Sequence, residues 1–171
     1  MNMKLELKSI KHSAFASQET HCYEAAIYLD GEPFALTSND GGGGCDRGAK
    51  HPKCKLTIEE YRAKHKEIEA YFKTLPTERV QWGDDPDEAV DIQPTSEGWC
   101  HDQVTLFLSA KDLKRMLKNK VVLHETATGK TGTLNRKYSP VDLPAIKGKF
   151  PGHTILNSLD FEAALKLFTS K

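Results

Sequence analysis

The residues best suited to chemistry lie in one glycine-rich stretch, SNDGGGGCDRGAKHPKC. Cys45, His51 and Cys54 carry the thiol and imidazole groups that bind zinc in many proteins. Their spacing is wider than the separation of two to four residues that is typical of structural zinc pairs. The stretch therefore predicts a zinc site only if a distant ligand, from the neighbourhood of Cys22 or Cys100, completes the set. We therefore expect no cofactor, and zinc is the alternative that the sequence leaves open.

The four consecutive glycines of the same stretch indicate a second kind of chemistry. Successive backbone amides can form an anion-binding nest, to which neighbouring basic side chains add positive charge. The alternative is a flexible crossing, because glycine runs also serve as permissive loops. Four glycines exceed what one chain reversal needs, so we predict a contact with a ligand or a partner protein here. The predicted contact residues all lie in this loop: Asn39, Asp40, Gly41, Gly42, Gly43, Gly44, Arg47 and Lys50.

Catalytic chemistry has little support in the sequence. Cys100 and His101 are a potential nucleophile and base, but adjacent residues on a helix point about 100° apart and do not easily share a proton. The seven histidines include no pair with helical H-x-x-x-H spacing. We therefore predict no catalytic residues and lean away from an enzyme.

Charge is unevenly distributed in this chain of 171 residues, although its net charge is zero. Residues 78–102 contain eight acids and one base, whereas residues 111–171 contain twelve bases and five acids. Such segments are typical of solvated faces, and they also steer charged partners. The predicted acidic partner surface consists of carboxylates in a proline-flanked loop: Asp84, Asp85, Asp87, Glu88 and Asp91.

The basic residues from Lys111 to Lys149 indicate an alternative, a face that binds nucleic acid. Tyr138 or Phe150 would then stack on bases. The neutral overall charge argues against it, because dedicated nucleic-acid-binding domains are usually strongly basic.

Local patterns predict an α+β fold, and the chain length predicts one domain, residues 1–171. We expect an antiparallel sheet from two hairpins plus an amino-terminal strand, with helices packed mainly on one face. Loops near residues 38–55 and 77–95 are expected to be flexible. The first predicted elements are a strand at 3–10, a hairpin of 22–29 and 34–37 around Asp30-Gly31, and a helix capped by Thr57 with Glu60 and ended by Pro76.

The middle of the chain is predicted to form a helical turn near 87–91, a short helix after Thr95 and a second helix capped by Ser109. The remaining predicted elements are a hairpin of 121–125 and 131–135, an irregular crossing at 137–148, a strand at 155–156 and a helix capped by Asp160 or Ser158.

The chain has no apolar run of signal-peptide or membrane-span length, so we expect a cytoplasmic protein without a membrane partner. In that compartment the four cysteines would be reduced. A monomer or small homo-oligomer is expected.

The segment HSAFASQETHCYEAAIYLDGEPFALTSNDGGGGC resembles the amino-terminal part of a group of small uncharacterised proteins encoded by phages and prophages. The matching features are SQET, the YLDG turn and SNDGGGG. The resemblance implies a small accessory protein that binds and inhibits a host or defence protein in the cytosol of the host cell. Our leading hypothesis is therefore a non-catalytic, stoichiometric binder of a host protein. The alternatives are a nucleic-acid-binding accessory protein and a small zinc-bearing protein or enzyme.

Overall fold

The computed structural model of the protein describes residues 3–81 and 89–170. The chain divides into two compact units, Met1–Val104 and Thr105–Lys171, and each is described by itself below. The α+β class and the antiparallel pairing of the strands are confirmed. The two predicted hairpins lie in different sheets, one in each unit. The prediction of a single domain rests on chain length and stays a prediction.

The first unit is built on a four-stranded antiparallel sheet of order β1-β2-β3-β4. Its strands are β1 (Leu5–His12), β2 (Tyr23–Leu29), β3 (Glu32–Asn39) and β4 (Arg47–Lys50). Asp30 and Gly31 connect β2 to β3 with φ values of 49° and 86°, as a two-residue hairpin turn requires. This hairpin is confirmed, whereas β4 falls inside the segment that the sequence predicts to be a crossing.

Helix α1 (Ile58–Thr74) covers the sheet and follows the predicted boundaries closely. Thr57 Oγ1 accepts the amide of Glu60, and the Glu60 carboxylate accepts the amide of Thr57, so the predicted capping box is confirmed. Ile68 and Phe72 pack with Phe34 of β3, and all three are at most 5% exposed. Burial of these side chains holds the sheet and α1 together.

Two predictions for the segment that follows α1 are wrong. The predicted loop with a helical turn instead contains the antiparallel hairpin β5 (Glu78–Gln81) and β6 (Ala89–Ile92), because Val80 and Val90 pair across it. The two predicted short helices are one helix, α2 (Ser96–Asn119). Ser109 does not cap a new helix, because neither proline nor glycine interrupts the chain between residues 99 and 119.

The second unit contains a three-stranded antiparallel sheet of order β8-β7-β9. The strands are β7 (Val121–Glu125), β8 (Thr131–Leu134) and β9 (His153–Ile155), which confirms the second hairpin. The predicted irregular crossing is wrong in its second half, which forms helix α3 (Leu143–Lys149). Pro144 in its first turn is compatible with a helix, because a first-turn amide needs no intrahelical partner.

Asp160 caps the closing helix α4 (Phe161–Thr169) and accepts the amide of Ala163 at 2.8 Å. One face of β7 packs through Val122 on Leu113, Leu156 and Ala164. The opposite face packs through two further β7 residues on α3 and β9, in the cluster Val121, Leu123, Ile146 and Ile155. Among the helices of residues 3–81 and 89–170, none has the length and apolarity that crossing a bilayer requires.

Candidate functional sites

The glycine loop of the first unit is anchored through the backbone carbonyl of Gly41. This oxygen accepts the amides of Gln18 at 3.0 Å, Glu19 at 2.9 Å and Thr20 at 3.3 Å. Gly41 has a φ of +89°, and a Cβ at this position would lie 2.1 Å from the carbonyl oxygen of Ala16. Only glycine fits such a position, so at least one glycine of the run is required by close backbone packing.

Asn39 holds the same loop from the end of β3 with both atoms of its amide. Its Oδ1 accepts the amide of Gly41 and the hydroxyl of Thr20, each at 2.8 Å. Its Nδ2 donates to the carbonyl of Gly44 at 2.8 Å and to Asp46 Oδ1 at 3.0 Å. Because Asn39 is buried, these bonds are shielded from water and fix the loop that carries the exposed residues 42–45.

Three amides of the predicted anion nest, those of Gly41, Gly42 and Gly43, already have partners within the protein. Gly42 donates to Asp40 Oδ1 at 3.3 Å and Gly43 donates to Thr20 Oγ1 at 3.4 Å. Arg47 pairs with Asp40 at 2.7 Å, and both side chains are exposed. An anion would have to compete with these contacts, so the geometry favours a loop that presents a fixed shape over one that cradles phosphate.

Asp46, which follows the glycine loop, is the centre of a buried polar cluster. Its side chain is 8% exposed and accepts hydrogen bonds from the hydroxyl of Tyr23, from Asn39 Nδ2 and from His101 Nε2, the last at 3.1 Å. The amide of Asp46 donates to Glu97 Oε1 at 2.7 Å. One ligand atom each from Asp46, Glu97 and His101 lie within 4.8 Å of one another. Two carboxylates and an imidazole therefore share one small volume.

The elements of the first unit explain how these side chains meet. Tyr23 begins β2 and Asp46 immediately precedes β4, so the sheet brings both to one end of β3. Glu97 and His101 lie four residues apart near the start of α2, on the same face of the helix. The only sequence signal for this cluster is the E-x-x-x-H spacing of Glu97 and His101, which sequence reasoning missed.

Burial changes the acidity of the two neutral groups next to Asp46. It raises the pKa of the Tyr23 hydroxyl, and the hydrogen bond to the Asp46 carboxylate raises it further. Burial also raises the pKa of the Cys100 thiol to about 12, with a smaller contribution from the Asp46 charge. Cys100 is 2% exposed. At neutral pH it is a protonated core residue, which removes it as a nucleophile.

Two further imidazoles lie near His101. The ring centroids of His21 and His101 are 6.4 Å apart, and those of His12 and His21 are 5.4 Å apart. Burial lowers the pKa of His21, and repulsion from the two neighbouring imidazoles lowers it further. The structure thus gathers three of the seven histidines at one end of the first sheet.

The predicted zinc ligands are not brought together. Cys45 is exposed and Cys54 is buried in the core with Phe34 and Phe72, while His51 Nδ1 accepts the amide of Lys53 at 3.0 Å. Within residues 3–81 and 89–170, the three side chains that lie close enough together to hold a metal ion are Asp46, Glu97 and His101, and none of them is a cysteine.

Most of the predicted acidic partner surface lies outside the residues that the structure describes: Asp84, Asp85, Asp87 and Glu88. Asp91 lies on β6, where its carboxylate is 3.9 Å from Arg79. Lys50, the last predicted contact residue of the glycine loop, ends β4 and pairs in register with Ala35.

The net charge changes sign at the boundary between the two units. Met1–Val104 has twelve bases and nineteen acids, a net charge of −7, whereas Thr105–Lys171 has twelve bases and five acids, a net charge of +7. The predicted basic face, Lys111 to Lys149, thus belongs to one compact unit of strongly positive charge. Two ion pairs offset part of it, Arg115 with Asp112 at 3.1 Å and Arg136 with Asp142 at 3.8 Å.

A groove of about 550 Å³ lies between β8 and α3 of the second unit. Its walls include Thr133, Asn135 and Arg136 on one side and Lys149 and Phe150 on the other. Tyr138 and Phe150 also pack on the core around Ile146, so part of each ring is used for folding.

Comparison of the chain with protein-family models, curated proteins and solved structures finds no match.

Proposed function

We propose that the protein binds nucleic acid through its second unit. The observation that carries the proposal is the net charge of +7 on a compact unit of residues 105–171. Phosphate contacts by lysine and arginine supply most of the free energy of non-specific nucleic-acid binding. The argument from neutral overall charge loses force, because the acids that balance these bases belong to the other unit.

The local charges of the second unit support the same proposal. Helix α3 ends with two exposed lysines, Lys147 and Lys149. In the described part of the chain, neither lies within ion-pair distance of a carboxylate. Lys149 and Arg136 both line the groove, where Asp142 pairs with Arg136 at 3.8 Å. Asn135 and Thr133 add polar groups of the kind that bind phosphate or sugar. A single strand that lies along this groove would contact both basic side chains and the exposed part of Phe150.

The test is binding of a fluorescently labelled single-stranded oligonucleotide, measured by anisotropy at low salt with the full chain. Reversal of two charges in Lys147→Glu/Lys149→Glu should weaken binding at least about tenfold, because two phosphate contacts become repulsive. The matched control is Lys53→Glu/Lys66→Glu, which changes the net charge equally on exposed residues of the first unit. Equal weakening by both pairs would refute a site in the second unit.

A second candidate function is stoichiometric binding of another protein through the glycine loop, as the resemblance to phage-encoded proteins implies. The specific observation in its favour is that buried Asn39 and the Gly41 carbonyl fix a loop whose tip, residues 42–45, is exposed. A fixed loop loses little conformational entropy when it binds.

Gly44 offers a selective test of this second candidate. It has open space around its Cβ position and no positive φ, so Gly44→Arg should fold normally and obstruct a partner. Affinity capture from a bacterial lysate should recover a protein in equal molar amount with the wild type and lose it with Gly44→Arg. Capture that is unaffected by Gly44→Arg would exclude this loop as the contact surface.

A further inference from the structure

A cavity of about 210 Å³ lies beside the buried polar cluster of the first unit. It lies between β3, β4 and the helices α1 and α2, and Asp46, Glu69 and Glu97 contribute to its walls. Among the described residues that line the cavity, there is no lysine or arginine. Three carboxylates on one small cavity without a basic side chain favour a cation as its occupant.

The cluster next to this cavity has the donor set of a metal site. Asp46, Glu97 and His101 each place a ligand atom within 4.8 Å of the other two. Metal–ligand bonds of about 2.0–2.2 Å put the ligand atoms of a tetrahedral site roughly 3.4 Å apart, so movements of about an ångström would suffice. Two carboxylates and one imidazole suit manganese, iron or zinc.

The ligands are also oriented by groups outside the set. Tyr23 and Asn39 donate to the carboxylate of Asp46, and the amide of Asp46 donates to Glu97 Oε1. Hydrogen bonds of this kind to ligating carboxylates are a regular feature of metal sites, because they fix the ligand geometry before the ion arrives.

We propose that Asp46, Glu97 and His101 bind one divalent transition-metal ion, with its remaining coordination positions directed at the acid-lined cavity. Binding of the ion at Nε2 of His101 replaces the hydrogen bond to Asp46 Oδ1, and the neutral imidazole then carries its proton on Nδ1. Three protein ligands with open positions are typical of metal sites that also bind a small molecule or water. This inference concerns the first unit and does not depend on nucleic-acid binding by the second.

The experiment uses the chelator-treated full chain and the metal ion alone. Manganese(II) is titrated in, and the electron paramagnetic resonance signal of the free ion reports its binding; zinc(II) is then added as a competitor. The wild type should bind one manganese ion per chain, and zinc should displace it. Absence of saturable binding up to millimolar manganese would overturn the proposal, and the cluster would then be an ion-paired structural group.

Variants locate the ion. Glu97→Gln keeps an oxygen for the amide of Asp46 but lacks the carboxylate charge, so it should fold and bind manganese at least about tenfold more weakly. His101→Ala should do the same. The control His51→Ala removes an imidazole of the same unit outside the cluster and should leave binding unchanged. Unchanged binding in both cluster variants, or loss of binding in Cys45→Ser/Cys54→Ser, would overturn the assignment; circular dichroism confirms that each variant is folded.

Discussion

Nε2 of His101 lies 3.1 Å from Oδ1 of Asp46, although 55 residues separate the two in the chain. The imidazole is one of four donors to a carboxylate only 8% exposed; the others are Tyr23, Asn39 and Thr37. A buried charge with fewer donors would be costly. The contact therefore joins α2 to the glycine loop and holds the candidate metal ligands in place.

Removal of the Tyr23 hydroxyl should destabilise the first unit. In Tyr23→Phe the buried carboxylate of Asp46 loses one donor, which we expect to lower the free energy of unfolding by about 1–3 kcal/mol. Urea denaturation followed by circular dichroism measures the change. Tyr28→Phe is the control, because the contacts of Tyr28 with the described residues are made by its ring, with His51 and Lys8, and not by its hydroxyl. Equal effects of the two variants would contradict the role given to Tyr23.

The four glycines of the loop should differ sharply in their tolerance of alanine. Gly41→Ala places a Cβ 2.1 Å from a backbone oxygen at a positive φ, and we expect a loss of at least about 3 kcal/mol. Gly44→Ala meets nothing within 4 Å, and we expect a change within about 0.5 kcal/mol. The melting temperatures of the two variants measure this difference. Similar values would contradict the close packing of Gly41 against the Ala16 carbonyl.

Asn157 should be the polar residue on which the second unit depends most. Its Oδ1 accepts the amide of Val122 at 2.7 Å, and its Nδ2 donates to the carbonyls of Leu117 at 3.2 Å and Lys120 at 2.9 Å. Asn157→Ala removes three hydrogen bonds that join the turn after β9 to β7 and to the carboxyl-terminal end of α2. We expect a loss of about 2–4 kcal/mol in chemical denaturation, against little change for the exposed Asn135→Ala; a loss below about 1 kcal/mol would contradict this role.

The cysteines should differ in reactivity toward a disulfide reagent in the native state. Cys45 is exposed and should react first, whereas Cys54 and Cys100 are buried and should react only after denaturation. Cys45→Ser should abolish the fastest phase. The half-buried Cys22 is the next thiol expected to react in that variant. Rapid reaction of Cys54 or Cys100 would contradict their burial in the core.

The raised pKa of Cys100 predicts how the free energy of unfolding changes at alkaline pH. The folded-state pKa of the thiol, about 12, lies above its ordinary value of 9.0, so the thiol stabilises the fold below pH 9 and this contribution is lost progressively between pH 9 and 12. The free energy of unfolding should fall less steeply over this range in Cys100→Ala than in the wild type. Parallel slopes would show that Cys100 does not resist ionisation.

Elements set by local signals were predictable from the sequence. The capping box of Thr57 and Glu60 places α1, and the Asp30-Gly31 turn places the first hairpin, because both depend on neighbouring residues. Ser109 misleads for the same reason: serine is a good helix cap, yet here it lies within α2. The hairpin of β5 and β6 depends on cross-strand pairs such as Val80 with Val90, which no local pattern specifies.

The candidate site could not be assembled from the sequence, because its members are distant in the chain. Asp46 lies 23 residues from Tyr23 and 55 from His101, and the fold alone brings them together. The sequence predicts a zinc site from the cysteines of the glycine stretch, because they lie in one short segment. In the structure Cys54 packs in the core, so it does not join Cys45 in a metal site. The charge segregation, by contrast, was visible in composition, and the unit boundary gives it a structural meaning.

The salt dependence of oligonucleotide binding tests the central proposal most directly. If the second unit binds phosphates, the logarithm of the association constant for a labelled single strand should fall linearly with the logarithm of the salt concentration, with a slope of about −0.7 for each phosphate contacted. A slope near −2 or steeper is the expected result, from at least three contacts. No binding at low salt, or binding that does not change with salt, would contradict the proposal.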